Sequence, residues 1–153
     1  MEHPSGKKNE KMVKGGFYEW THKHKATSLM KKNHPRIQEL LDDNEEIIGY
    51  VAGYSQRATL SSRAGEFEWH LLCFTDKRIF FIPNYQMLKE IWKGNKINTF
   101  RYDNIETSIR KAFFIKSRPC LRIQTDEFPN FLIDLGWNDY EIITELVNEK
   151  CNK

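Results

Sequence analysis

Nucleophilic catalysis needs a hydroxyl or thiol beside a general base that a third group orients, and the 153-residue chain offers three cysteines and five histidines towards it. Cys73 and Cys120 sit inside alternating apolar patterns and read as small core residues. His70 alternates onto a strand face with Glu68 and Leu72, which predicts a surface or interface histidine and not a base. His22 and His24 stand two apart and so point to different faces of a helix, while His34 precedes a proline, so no metal set is completed. Gly15-Gly16, Gly49 and Gly53 match neither the P-loop nor the dinucleotide fingerprint. Asp42-Asp43, Glu45-Glu46 and Asp126-Glu127 are adjacent carboxylates, which a strand or turn sends to different faces; they read as solvated turns. The expectation is a non-enzyme with no catalytic, cofactor or metal site.

The composition fits that reading. A hydrophobic share of 39% supplies enough apolar residues for one core, and an aromatic share of 13% excludes a wholly disordered chain. The longest apolar runs, Leu71 to Phe74 and Ile79 to Pro83, fall far short of the ~20 residues of a membrane span. Met1 to Gly16 is Lys-rich with no apolar block behind it, which argues against a secretory signal, and three unpaired-looking cysteines predict a reduced, cytoplasmic chain. Charge is uneven: Met1 to His34 holds eight Lys against three Glu, and Pro35 to Lys153 holds 16 basic against 18 acidic residues.

The elements that must position any site follow from periodicity. Residues 1–16 read as a flexible basic arm and 17–42 as a helical segment. Phe17, Trp20, His24, Thr27 and Met30 make a loose helical stripe that stops before Pro35, and a second short helix runs from Pro35 through Ile37, Leu40 and Leu41. Strands are expected at Ile47 to Tyr54, Phe67 to Phe74, Ile79 to Ile82, Ile97 to Tyr102, Ile105 to Ile115, Leu121 to Thr125 and Asn130 to Leu135, with Ser117-Arg118-Pro119 as a separator. Residues 85–93 fit a helix and an edge strand equally well. A final helix from Trp137 carries Asn138 as N-cap, Glu141 as its capping-box partner, and Tyr140, Ile143, Leu146 and Val147 on one face. The hairpin strands are apolar on both faces, so the helices of 17–41 or a second copy of the chain must cover the outer one.

The stretch Leu71-Leu72-Cys73-Phe74-Thr75-Asp76-Lys77-Arg78-Ile79-Phe80-Phe81, with Phe100-Arg101-Tyr102-Asp103-Asn104-Ile105-Glu106 and the C-terminal helix, resembles the bacterial pleckstrin-homology-like (PH-like) domains, in particular the YokE-type group. The resemblance covers residues 43–152. It implies a mainly β, bent antiparallel sandwich or partial barrel of two sheets and about seven strands, capped by the last helix. Thr75 and Asp76 would brace the tight turn, and Arg78 would reach a carboxylate, with Asp103 as the candidate; Thr75, Asp76, Arg78, Tyr102 and Asp103 are thus expected to be structural. The eukaryotic branch grips inositol phosphates with basic residues across its first hairpin. Here Arg57 and Arg63 offer anionic-ligand contacts, but Glu66 and Glu68 stand where further cations would be needed. The functional expectation is a non-catalytic module that binds a protein partner or itself. The alternative is weak binding to anionic lipid through the basic front and loop arginines, and nucleic-acid association by the Lys-rich arm ranks third.

Overall fold

The computed structural model describes residues 16–56, 67–83, 97–110 and 117–151. The arm up to residue 15, Arg57, Arg63 and residues 85–93 lie outside the described residues. In chain order the elements are α1 (Gly16–Leu40), β1 (Ile47–Gln56), β2 (Phe67–Thr75), β3 (Ile79–Ile82), β4 (Asn98–Phe100), a 3-10 turn (Tyr102–Asn104), β5 (Ile105–Arg110), β6 (Arg118–Ile123), β7 (Phe131–Asp134) and α2 (Trp137–Cys151).

The strands form one antiparallel sheet in the order β4-β3-β2-β1-β7-β6-β5, where two sheets were expected. Its halves join at a single paired position, Tyr54 opposite Asp134. Gly53 permits the join: a Cβ there would lie 2.2 Å from Ile133 Cγ2 and 2.7 Å from the Asp134 carbonyl oxygen. Among the described residues the sheet is not closed, since β4 and β5 are its two ends. Arg118 and Pro119 belong to β6 and pair with Arg110 and Ile109, so the expected separator is strand.

Each face of the β1–β3 hairpin array has its own cover. Val51, Leu72, Phe74 and Phe81 face inward and pack with Phe100, Leu121, Ile133 and Ile143, which closes the core with α2 as its cap. Ala52, Leu71, Cys73, Phe80 and Ile82 face outward beneath Ala26, Leu29, Met30 and Ile37 of α1. The outer face is therefore covered from within the chain.

α1 is one helix of 25 residues with Pro35 inside it, where two helices were expected. Proline removes a backbone donor and disfavours helix in its predecessor. Here the next turn is anchored regardless, because Ile37 is fully buried and Asn33 donates from Nδ2 to the Leu29 carbonyl at 2.9 Å. Of the expected stripe Met30 is buried, but the rest of the buried side is Glu19, His22, Ala26, Leu29, Asn33 and Ile37, whereas Trp20 is 56% exposed and stacks on His24.

Candidate functional site

The β2–β3 turn organises one end of the molecule. Thr75 Oγ1 accepts from the backbone N–H groups of Lys77 and Arg78 at 3.1 and 3.0 Å and donates to Glu45 Oε2 at 2.6 Å. Asp76 Oδ1 accepts from the Glu46 backbone N–H at 2.9 Å. Tyr102 donates its hydroxyl to the Thr75 carbonyl at 2.5 Å. Arg78 places Nε 2.9 Å from Glu45 Oε2 and Nη2 2.8 Å from Glu45 Oε1, and it also donates to the Leu40 carbonyl at the end of α1.

Two expectations are corrected here. The partner of Arg78 is Glu45, not Asp103, because Asp103 lies beside Arg101, which donates to both of its carboxylate oxygens at 3.0 and 3.1 Å. Glu45 is no solvated turn residue: its side chain is fully buried. The Arg78 guanidinium, helped by Thr75, holds its carboxyl down at about 2. Thr75, Asp76, Arg78 and Tyr102 thus come together in a brace that ties α1, the β2–β3 turn and the 3-10 turn, and Asp103 stays outside it.

Beside the brace lies a cleft of about 420 Å³ lined by Asp76, Lys77, Arg101, Tyr102, Asp103, Lys150 and Cys151. Its cations are engaged: Lys77 with Asn44 Oδ1 at 3.2 Å, Arg101 with Asp103, and Lys150 with the Asp76 carbonyl at 2.9 Å. Only Arg101 and Asp103 pair charge with charge; the two lysines are held by neutral acceptors. Among the described residues no group of three or more His, Cys, Asp and Glu is arranged to hold a metal ion.

Two further residues change role. His70 is fully buried, not a surface histidine; its Nε2 is 2.8 Å from Ser55 Oγ and its ring packs near Phe81 and Phe131. α2 is capped across space and not by Asn138: Glu19 of α1 accepts from the N–H groups of Trp137 and Asn138 at 2.8 and 3.1 Å. The clue in the sequence is an acid in line with Ala26, Leu29 and Ile37 on one helical row.

This arrangement gives a pH prediction. Burial lowers His70 to about 3, so the native state resists a proton that the unfolded chain accepts, and stability is lost as pH falls below about 6.5. Burial, with Glu19 nearby, raises Asp139 to about 7, so the native state takes a proton first and stability grows as pH falls from about 7 towards 4. The two slopes oppose each other. In Asp139→Asn the opposing slope is gone, and the His70 loss stands, joined near pH 4.5 by the onset of the Glu45 loss. Urea titrations from pH 7.5 to 4.5 should show a shallow profile for the natural chain and a loss of roughly 2 kcal/mol or more for the variant. Parallel profiles would contradict these assignments.

The open end of the sheet has a different character. β5 pairs with β6 along Ile105 to Arg110 and has no strand on its other edge among the described residues. α2 runs beside it, with Thr107 Oγ1 and Thr144 Oγ1 hydrogen-bonded at 2.7 Å. Ile109 on the strand and Ile142 on the helix are 45% and 59% exposed. A six-residue edge offers backbone donors and acceptors to another extended chain. Glu106 is ion-paired with Arg122 on β6, so that acid is already held within the sheet.

No protein-family model matches the chain, and neither does any curated protein sequence. Among solved structures it is similar to the hSac2 domain from human phosphoinositide phosphatase Sac2, at 15% identity with a TM-score of 0.51, over 81% of each chain. It is also similar to a pleckstrin homology domain from Shewanella amazonensis SB2B, at 17% identity with a TM-score of 0.46, over 84% of this chain and 99% of that one. The open seven-stranded antiparallel sheet with a C-terminal capping helix defines the class: the fold is PH-like. None of the described helices is long and apolar enough to cross a membrane.

Proposed function

We propose that this chain is a non-catalytic, cytoplasmic binding and assembly module of the bacterial YokE-like kind, which takes an extended segment of a protein partner, or of a second copy, along the edge of β5. The observation that carries this reading is the edge of Ile105–Arg110 beside α2, unpaired among the described residues, with Ile109 exposed on it. Strand addition supplies main-chain hydrogen bonds along the edge, and Ile109 supplies an apolar contact for selectivity. The YokE-like affiliation rests on residues 71–81 and 100–106, and the structural roles of Thr75, Asp76, Arg78 and Tyr102 agree with it.

The test is a library of extended peptides panned on the intact chain and on Ile109→Lys, a change at an exposed position that should alter stability by no more than about 0.5 kcal/mol. The expected result is a set of peptides with apolar residues at alternate positions that bind the natural chain and lose at least tenfold in the variant. Peptides that bind both equally, or no enrichment over an unrelated domain, would overturn the reading.

A further inference from the structure

The outward face of α1 is the most strongly charged surface among the described residues that the binding reading leaves unused. Lys25, Lys31, Lys32 and Arg36 are exposed there, while Lys23, two residues before Lys25, lies on the opposite flank near Asp139, and of the two acids in the helix Glu19 is buried in the cap of α2, which leaves Glu39. Lys25, Lys32 and Arg36 stand seven and four residues apart, so they form one row, with Lys31 on the crest beside it. The spread from Lys25 to Arg36 is about 16 Å along the axis. Trp20, 56% exposed, lies round the helix from that row and in line with Lys31, eleven residues on. Exposed acids gather at the other end, at Asp42, Asp43 and Glu46, so the charge is polarised along the helix.

We propose that this face docks on an anionic lipid bilayer, with the N-terminal two thirds of α1 approaching first and Trp20 entering the head-group layer. The helix is fixed to the sheet along its length by Ala26, Leu29, Met30 and Ile37, so it presents a low ridge and not a free recognition helix. Cations on both sides of the crest, with an amphipathic ring in line with Lys31, match a planar negative surface, where Lys and Arg gain from the surface potential and tryptophan prefers the interface. A nucleic-acid groove would need the helix to project, and the sheet behind α1 prevents that. The surface uses no residue of the β5 edge, so it stands or falls independently of the binding reading.

The test is co-sedimentation of the full chain with vesicles of phosphatidylcholine alone and with about 30 mol% phosphatidylserine, at about 50 and about 300 mM salt. Binding is expected only to the anionic vesicles and only at low salt. Lys31→Glu/Lys32→Glu, two exposed changes, should lower partitioning at least twentyfold, as should Lys31→Gln/Lys32→Gln to a smaller degree of roughly fivefold or more. Brominated lipid should quench tryptophan fluorescence in the natural chain and much less in Trp20→Phe. Loss of binding in Arg57→Ala/Arg63→Ala with none in the α1 variants would overturn the proposal in favour of a loop site. Tighter binding to a DNA duplex than to vesicles at equal salt, abolished by the same α1 changes, would overturn it in favour of a nucleic-acid surface. No vesicle binding at low salt would also overturn it.

Discussion

Arg78→Ala is expected to lower stability by about 3 kcal/mol, a large share of what a domain of this size possesses. The reason is what the change leaves behind. Glu45 has a fully buried carboxylate held by two guanidinium hydrogen bonds and by Thr75, and without Arg78 it must either remain charged in a dry site or take up a proton. Arg78 itself is about a third exposed, with 31% of its side chain open to solvent, so water can partly replace it and the loss falls at the lower end for a broken buried pair. The C-terminal carbonyl of α1 at Leu40 also loses its donor. Adding Glu45→Gln to the alanine variant should recover part of the loss, since the stranded charge is then gone. Urea denaturation measures both. A loss below about 1 kcal/mol, the worth of a surface ion pair, would show that the brace does not hold the fold.

Gly53→Ala is expected to cost about 3 kcal/mol, whereas Gly49→Ala, four residues earlier on the same strand, should be neutral or slightly stabilising. At Gly49 nothing lies within 4 Å of an added Cβ. At Gly53 the obstacle includes the Asp134 backbone at 2.7 Å, which cannot rotate away as a side chain can. The position is also where the two halves of the sheet meet, and Tyr54, Arg118 and His22 all bond around it: Arg118 donates to the Tyr54 hydroxyl at 2.5 Å, and His22 Nε2 lies 3.2 Å from the Asp134 carbonyl. Thermal melts of the pair make the comparison. Equal melting temperatures would mean that the join is looser than its geometry.

Periodicity carried the reading of the sheet far. The alternation in Phe67–Thr75 and Ile79–Ile82, with Thr75 and Asp76 between, specifies a hairpin, because period two and turn chemistry agree. The face of α2 was equally legible, with Ile143 buried and Tyr140, Leu146 and Val147 packed against the core. α1 misled because its buried side is partly polar. Glu19, His22 and Asn33 are satisfied by distant or backbone partners that a local pattern cannot display, so the bulkier Trp20 drew the stripe to the wrong face. Glu45 and Glu46 do point apart, as adjacency requires, but one of the two directions leads inward. His70 shares a strand face with Leu72, and only the bend of the sheet, which brings Phe131 against the ring, turns that face into core. The single sheet in place of two depends on the approach at Gly53, a contact between residues some eighty positions apart in the chain.

Residue-resolved amide hydrogen exchange on the intact chain, with and without a peptide selected on it, tests the central claim most directly. In the free protein the amides of Ile105–Arg110 that point away from β6 should exchange fast, while those of β2 and β3 approach the protection set by global unfolding. With saturating peptide the outward amides of β5 should slow at least tenfold, alternating along the strand, and those of the cleft beside Lys150 should not change. Saturating peptide that leaves β5 fast while slowing amides elsewhere would place the binding surface away from this edge and contradict the account.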